Sequence, residues 1–116
     1  MNPRLLIVVT GDPRTSKRPA EAVRIAAGVC AWKRVEVTLF LRGPAILALG
    51  EFAGELADGE NFERFLPLLP EHGRPIFAQE RAPELAELGE TPVQFQLATD
   101  GKLANLAAES DCVLRF

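Results

Sequence analysis

The stretch Arg4-Leu5-Leu6-Ile7-Val8-Val9-Thr10-Gly11-Asp12-Pro13 decides the fold. Its apolar run has no polar residue at alternate positions, so it reads as a central parallel strand covered on both faces. The run stops at Thr10-Gly11-Asp12-Pro13, and a helical pattern begins near Pro19. Ligands of open α/β sheets collect outside the carboxyl ends of such strands. The sequence therefore places a site more clearly than it names the chemistry there.

Working outward, strand and helix patterns alternate. Pro19 suits the first turn of a helix, where a missing N–H costs nothing, with Ser16 as a cap just upstream. That helix should run to about Lys33, with Ala22, Val23, Ile25, Ala26, Ala27, Val29 and Cys30 as its apolar side. Val35 to Leu41 is the second strand, with Val37, Leu39 and Leu41 on one face. Gly43-Pro44 ends it, Ala45 to Leu49 opens a helical turn, and Glu51 to Asp58 is expected to continue it despite Gly50 and Gly54. Asn61 to Leu69 reads as a further helix presenting Phe62, Phe65, Leu66 and Leu69, stopped by Pro70. Arg74 to Ala78 is a strand, Glu80 to Leu88 a helix, and Pro92 to Thr99 a strand with Val93, Phe95 and Leu97 facing one way. A last helix from Asp100 to Glu109 leads to a terminal strand at Cys112-Val113-Leu114. Repeated βα units of this kind predict a three-layer α/β/α sandwich on a mainly parallel five-stranded sheet.

At 116 residues the chain is read as a single domain, 1–116. Its 47% hydrophobic and 25% charged residues are those of an ordinary globular protein. No apolar stretch approaches the roughly 20 residues that span a bilayer, and the start lacks a signal-peptide pattern. A cytoplasmic protein with no membrane partner is expected. The formal charge of −3 gives no general attraction to nucleic acid. Cys30 and Cys112 form neither a C-x-x-C pair nor a disulfide framework. His72 is the single histidine, so no metal site built on two histidines exists, and no cofactor is expected.

The segment Leu5 to Pro13, Glu21-Ala22-Val23-Arg24-Ile25-Ala26-Ala27 leading into Val35 to Gly43, and the ending Ser110-Asp111-Cys112-Val113-Leu114-Arg115-Phe116 together resemble the DsrE/DsrF-like sulfur-relay family. The resemblance implies a DsrE/F-like sandwich and a homo-oligomer, trimer or hexamer, with a sulfur-relay protein as a possible partner. It also implies a persulfide-carrying cysteine near the end of the strand Pro75-Ile76-Phe77. There this chain has Ala78 and Gln79, and neither carries sulfur.

The expected reading is thus a binding or assembly subunit rather than a catalyst. Two alternatives stay open. One routes sulfur through Cys112 or Cys30, although each reads first as structural: Cys30 in an apolar helix face, Cys112 at the amino end of its strand. The other makes the loop Arg14-Thr15-Ser16-Lys17-Arg18 a small-anion or nucleotide site before a helix N-terminus. That loop lacks the glycine-lysine spacing of a nucleotide-wrapping P-loop, and a solvated connection is its plainer reading. The candidate ligand-binding residues are Gly11, Asp12, Arg14, Ser16, Lys17, Arg42, Gly43, Ala78 and Gln79. His72 reads as an exposed turn residue, and Glu80, Glu84 and Glu87 as a solvated helix face. Trp32 reads as closing its helix against the core or a subunit. Phe62, Phe65 and Phe77 exceed a minimal core and suggest subunit contacts.

Overall fold

The computed structural model describes residues 2–116. Five strands, β1 Arg4–Val9, β2 Glu36–Leu41, β3 Ile76–Gln79, β4 Gln96–Ala98 and β5 Cys112–Arg115, lie in the order β4-β3-β2-β1-β5 with every pairing parallel. β1 sits inside the sheet, and Leu6 to Val9 are all buried, as a run without polar alternation requires.

Three successive connections step in one direction from β1 to β4. The right-handed crossover preference places them on one face, and the return from β4 to β5 on the other. On the first face α1 (Arg18–Trp32), α2 (Glu60–Phe65) and α3 (Leu68–Glu71), with the 3-10 turns between them, cover Ile7, Val9, Val37, Leu39, Leu41, Ile76 and Ala78. On the second, α4 (Asp100–Glu109) crosses back alone. Its Leu103, Leu106 and Ala107 pack on Leu6, Val8, Phe40, Phe77 and Ala98. The thinner layer is thus a single helix over a small cluster, centred on the stacked rings of Phe40 and Phe77, 6.1 Å apart.

α1 ends at Lys33, whose left-handed backbone (φ 62°) lets its N–H close on the Cys30 carbonyl. The middle of the chain departs from expectation. Gly43–Leu49 is a 3-10 helix, and Glu51 to Asp58 does not prolong it. Close backbone approaches explain why: a Cβ at Gly50 would stand 3.1 Å from the Leu88 carbonyl oxygen, and one at Gly59 2.4 Å from that of Ala53. Both glycines serve tight passages rather than helix interiors. The helix expected over 61–69 is broken into α2 and α3 at Leu66-Pro67, and Pro70, expected to stop it, lies within α3. Between β3 and β4 a 3-10 helix, Pro83–Glu87, replaces the expected helix over 80–88.

β4 is shorter than expected. The strand covers only Gln96–Ala98, and although Val93 is buried, Leu97 is 56% exposed while Ala98 is buried. Leu97 pairs with Ala78 and so shares its face, but at this sheet edge no helix covers that face. The phenylalanines expected between subunits are used inside the chain: Phe62 and Phe77 are buried and Phe65 packs on the main core. Trp32, expected against the core or a subunit, is 66% exposed in the chain. No described helix is long and apolar enough to cross a membrane.

Candidate functional site

Parallel register carries the strand ends to one border. Leu41 pairs with Ala78 and Val9 with Leu41, so the next residues in each strand, Thr10, Arg42 and Gln79, form a row, and Gln79 pairs with Ala98. Gly11 and Gly43 begin the turns beyond it. Strand alternation puts Arg42 and Gln79 on the side crossed by α4, while Ala78 faces the main core with no exposed surface. The candidate pair Ala78 and Gln79 therefore divides. Gln79 reaches the border, and Ala78 supports it from beneath instead of lining it.

The loop after β1 spends its polar groups on itself. Thr10 and Gly11 donate their backbone N–H groups to the Phe116 carbonyl at 2.8 and 3.3 Å, and Thr15 and Ser16 donate theirs to the Asp12 carbonyl. Asp12 receives three donors of Arg14: backbone N–H to Oδ1 at 2.9 Å, Nε to Oδ1 at 3.0 Å and to Oδ2 at 3.3 Å, and Nη2 to Oδ2 at 2.9 Å. The Arg14 side-chain bond, then its backbone bond, hold the Asp12 carboxyl below the usual carboxylate value. Glu84 and Glu87 add their negative charge to the surroundings of Arg14. Ser16 does not cap in the expected way. Lys17 occupies the cap position, and Ser16 Oγ accepts the Arg18 N–H at 3.2 Å. The backbone N–H groups and guanidinium fork that an anion would use here are largely occupied, and the side chain of Lys17 is left to solvent.

The centre of the border differs. The Gly43 N–H donates to Gln79 Oε1 at 3.0 Å, and the Gly43 backbone is left-handed (φ 53°), a turn that favours glycine. Arg42 Nη2 donates to Asp100 Oδ1 at 2.9 Å. Asp100 opens α4 behind its cap Thr99, whose hydroxyl accepts the Lys102 N–H at 3.0 Å. Lys102 Nζ lies 5.6 Å from the centre of the Phe77 ring. Asp100 and Lys102 escaped the sequence reading because their approach depends on strand order. The Thr99-Asp100 cap pattern marks the end of β4 but cannot say which strand end it meets.

Both thiols lie at the opposite border. Cys112 begins β5 beside Leu5 and is exposed. Cys30 is buried near the end of α1, by the crevice of Lys33, Glu36, His72 and Arg74. Burial is the main influence on the Cys30 thiol and raises its pKa, with the Arg74 charge opposing. His72 is exposed, and no metal-binding group of three or more His, Cys, Asp or Glu occurs among the described residues. A wider cleft of about 560 Å³ beside β4, lined by Pro70, Arg74, Pro92, Phe95 and Gln96 among others, has Arg74 as its charged member. Arg74 Nε is committed to the Val37 carbonyl at 2.8 Å, so that cleft has shape but little free chemistry.

No family model matches this sequence, and no curated protein matches it at the sequence level. Among solved structures, the crystal structure of the YchN protein from E. coli is similar over the whole of both chains, with a TM-score of 0.80 and 24% identity. The likeness is one of fold: a five-stranded parallel α/β sandwich, the DsrE/F-like fold of YchN.

Proposed function

We propose that this chain is a non-catalytic binding or assembly subunit related to sulfur-relay proteins, which holds its ligand or partner at the carboxyl border of the sheet. The observation that carries the reading is the end of β3. The resemblance puts a sulfur-accepting cysteine at about Ala78 or Gln79; Ala78 is buried in the core, and the Gln79 side chain is engaged in a structural hydrogen bond to Gly43. Sulfur transfer needs a reachable, stabilised thiolate, and alanine and glutamine supply none. Self-association as a trimer or hexamer belongs to the same reading. Its support is the exposure of Trp32 and Phe52 rather than the phenylalanines of the core.

The deciding experiment is incubation of the intact protein with glutathione persulfide, followed by peptide mass spectrometry. Neither cysteine should gain a sulfur atom faster than free cysteine does. Rapid, stoichiometric gain at Cys112 or Cys30 overturns the reading in favour of a relay through that residue. Light scattering in solution tests the assembly, and a monomer at all concentrations removes that part.

A further inference from the structure

Two arginine–aspartate pairs stand at this border, and they are not used alike. Arg14 presents Nε and Nη2 side by side, and each meets its own oxygen of Asp12. Arg42 offers the same fork, but only Nη2 finds an acceptor, Asp100 Oδ1, while Nε is closed off from solvent with no partner. A planar guanidinium matches a carboxylate best when both parallel N–H groups are taken. The Asp100 side chain reaches Arg42 across the sheet from the first turn of α4, fills one arm and remains 68% exposed, against 34% for Arg42.

The surroundings favour a second carboxylate over other guests. Gln79 commits its oxygen to Gly43, which leaves its amide NH2 group as the remaining donor. Lys102 has no carboxylate partner among the described residues, and its ammonium rests near the Phe77 ring. Lys102, two positions after Asp100 in the first turn of α4, thus brings a positive charge to the face of the sheet on which Arg42 lies.

We propose that the Arg42 fork is a binding site for a carboxylate from outside the chain, reached only when the guest displaces Asp100: Nε is shut off from solvent while the Arg42–Asp100 pair stands, and the guest takes both arms once that pair opens. The guest is a small carboxylic acid or the free carboxylate of a polypeptide. This rests on the border being the binding face. A ligand whose binding needs a fork distinguishes arginine from lysine at this position, because lysine keeps the charge and loses the geometry.

The test titrates the intact protein with sodium acetate in the millimolar range at fixed ionic strength, following the backbone amide resonances by NMR in every variant and the Arg42 Nε–H resonance wherever Arg42 is present. Asp100→Ser, which withdraws the acceptor that reaches Arg42, should bind acetate about tenfold more tightly than the parent, and Asp100→Asn, which keeps a neutral acceptor and loses the charge, should gain less. Arg42→Lys should abolish saturable binding. An acetylated dipeptide with a free carboxylate, compared with its amide, identifies the source: tighter binding of the acid than of acetate points to a polypeptide, equal or weaker binding to a small acid. Equal affinity in the parent and both Asp100 variants, no saturable binding to any of them, or undiminished binding in Arg42→Lys overturns the proposal. Binding that survives Arg42→Lys and shifts only residues 10–17 overturns it while leaving the border as the binding face. Persulfide gain at a cysteine would instead overturn the non-catalytic reading, independently of the acetate result.

Discussion

The side-chain oxygen of Gln79 accepts the Gly43 N–H at 3.0 Å, which ties the end of β3 to the turn that leaves β2. Because this donor is partly buried, removing its acceptor leaves an N–H that water satisfies poorly. Gln79→Leu should therefore cost about 1–2 kcal/mol in urea unfolding, whereas Gln79→Glu, which keeps an acceptor, should cost clearly less. Equal losses in the two variants would show that the hydrogen bond does not hold the turn.

The Asp12 carboxyl should titrate below its ordinary value of 3.8, first because the Arg14 side chain donates to it, and next because the Arg14 backbone N–H does. A group with a depressed folded-state pKa adds stability above its unfolded value, and that stability is lost as pH falls through the folded value. Carboxyl carbon NMR should show the Asp12 midpoint rising in Arg14→Ala, and Asp12→Asn should flatten the acid side of the stability curve. An unchanged midpoint in Arg14→Ala would refute the assignment of cause.

These two positions also show how far the sequence could be read. Gly11 and Gly43 mark the ends of apolar runs, so the border itself was legible, as was the burial of β1 on both faces. What lay across from Arg42 was not, because Asp100 meets it only through a strand order that sequence periodicity does not encode. Leu97 failed for a related reason: alternation tells which face a residue points to, and an edge strand has a face that nothing covers. The segment over 51–71 failed on backbone proximity. Gly50 and Gly59 look like weak helix residues in one dimension and are close-contact points in three.

The second-face core is small, so its central ring should matter more than the edge residues. Phe40 is fully buried and stacks on Phe77, and Phe40→Ala should destabilise by about 3–5 kcal/mol. Leu97→Ser, at an exposed edge, should stay within about 0.5 kcal/mol. Thermal or urea unfolding compares them directly, and a large loss for Leu97→Ser would mean that its face is covered in the native assembly.

Gly28 and Gly59 should respond to alanine in opposite directions. Gly28 lies on the exposed side of α1, where an added Cβ meets nothing within 4 Å, so Gly28→Ala should stabilise by about 0.5–1 kcal/mol through helix propensity. At Gly59 the backbone angles are ordinary, but the added carbon would stand 2.4 Å from the Ala53 oxygen and 2.5 Å from that of Gly54. Gly59→Ala should therefore destabilise, and a neutral result in unfolding would show that this turn yields easily.

The two thiols should behave as unlike groups. Cys112 is exposed at the first residue of an edge strand, and Cys30 is buried on the inner side of α1 with its pKa raised chiefly by that burial. Alkylation by iodoacetamide should modify Cys112 promptly and Cys30 only on unfolding, as read by peptide mass spectrometry. A raised folded-state thiol pKa adds stability that is complete below the unfolded value and disappears as pH rises through the folded one. Stability should consequently fall on the alkaline side, above the ordinary thiol value of 9.0, and Cys30→Ala should flatten that fall even though the lost packing lowers stability throughout. If Cys30 alkylates as fast as Cys112 in the native protein, it is accessible, and a route for sulfur through α1 becomes the better account of the chain.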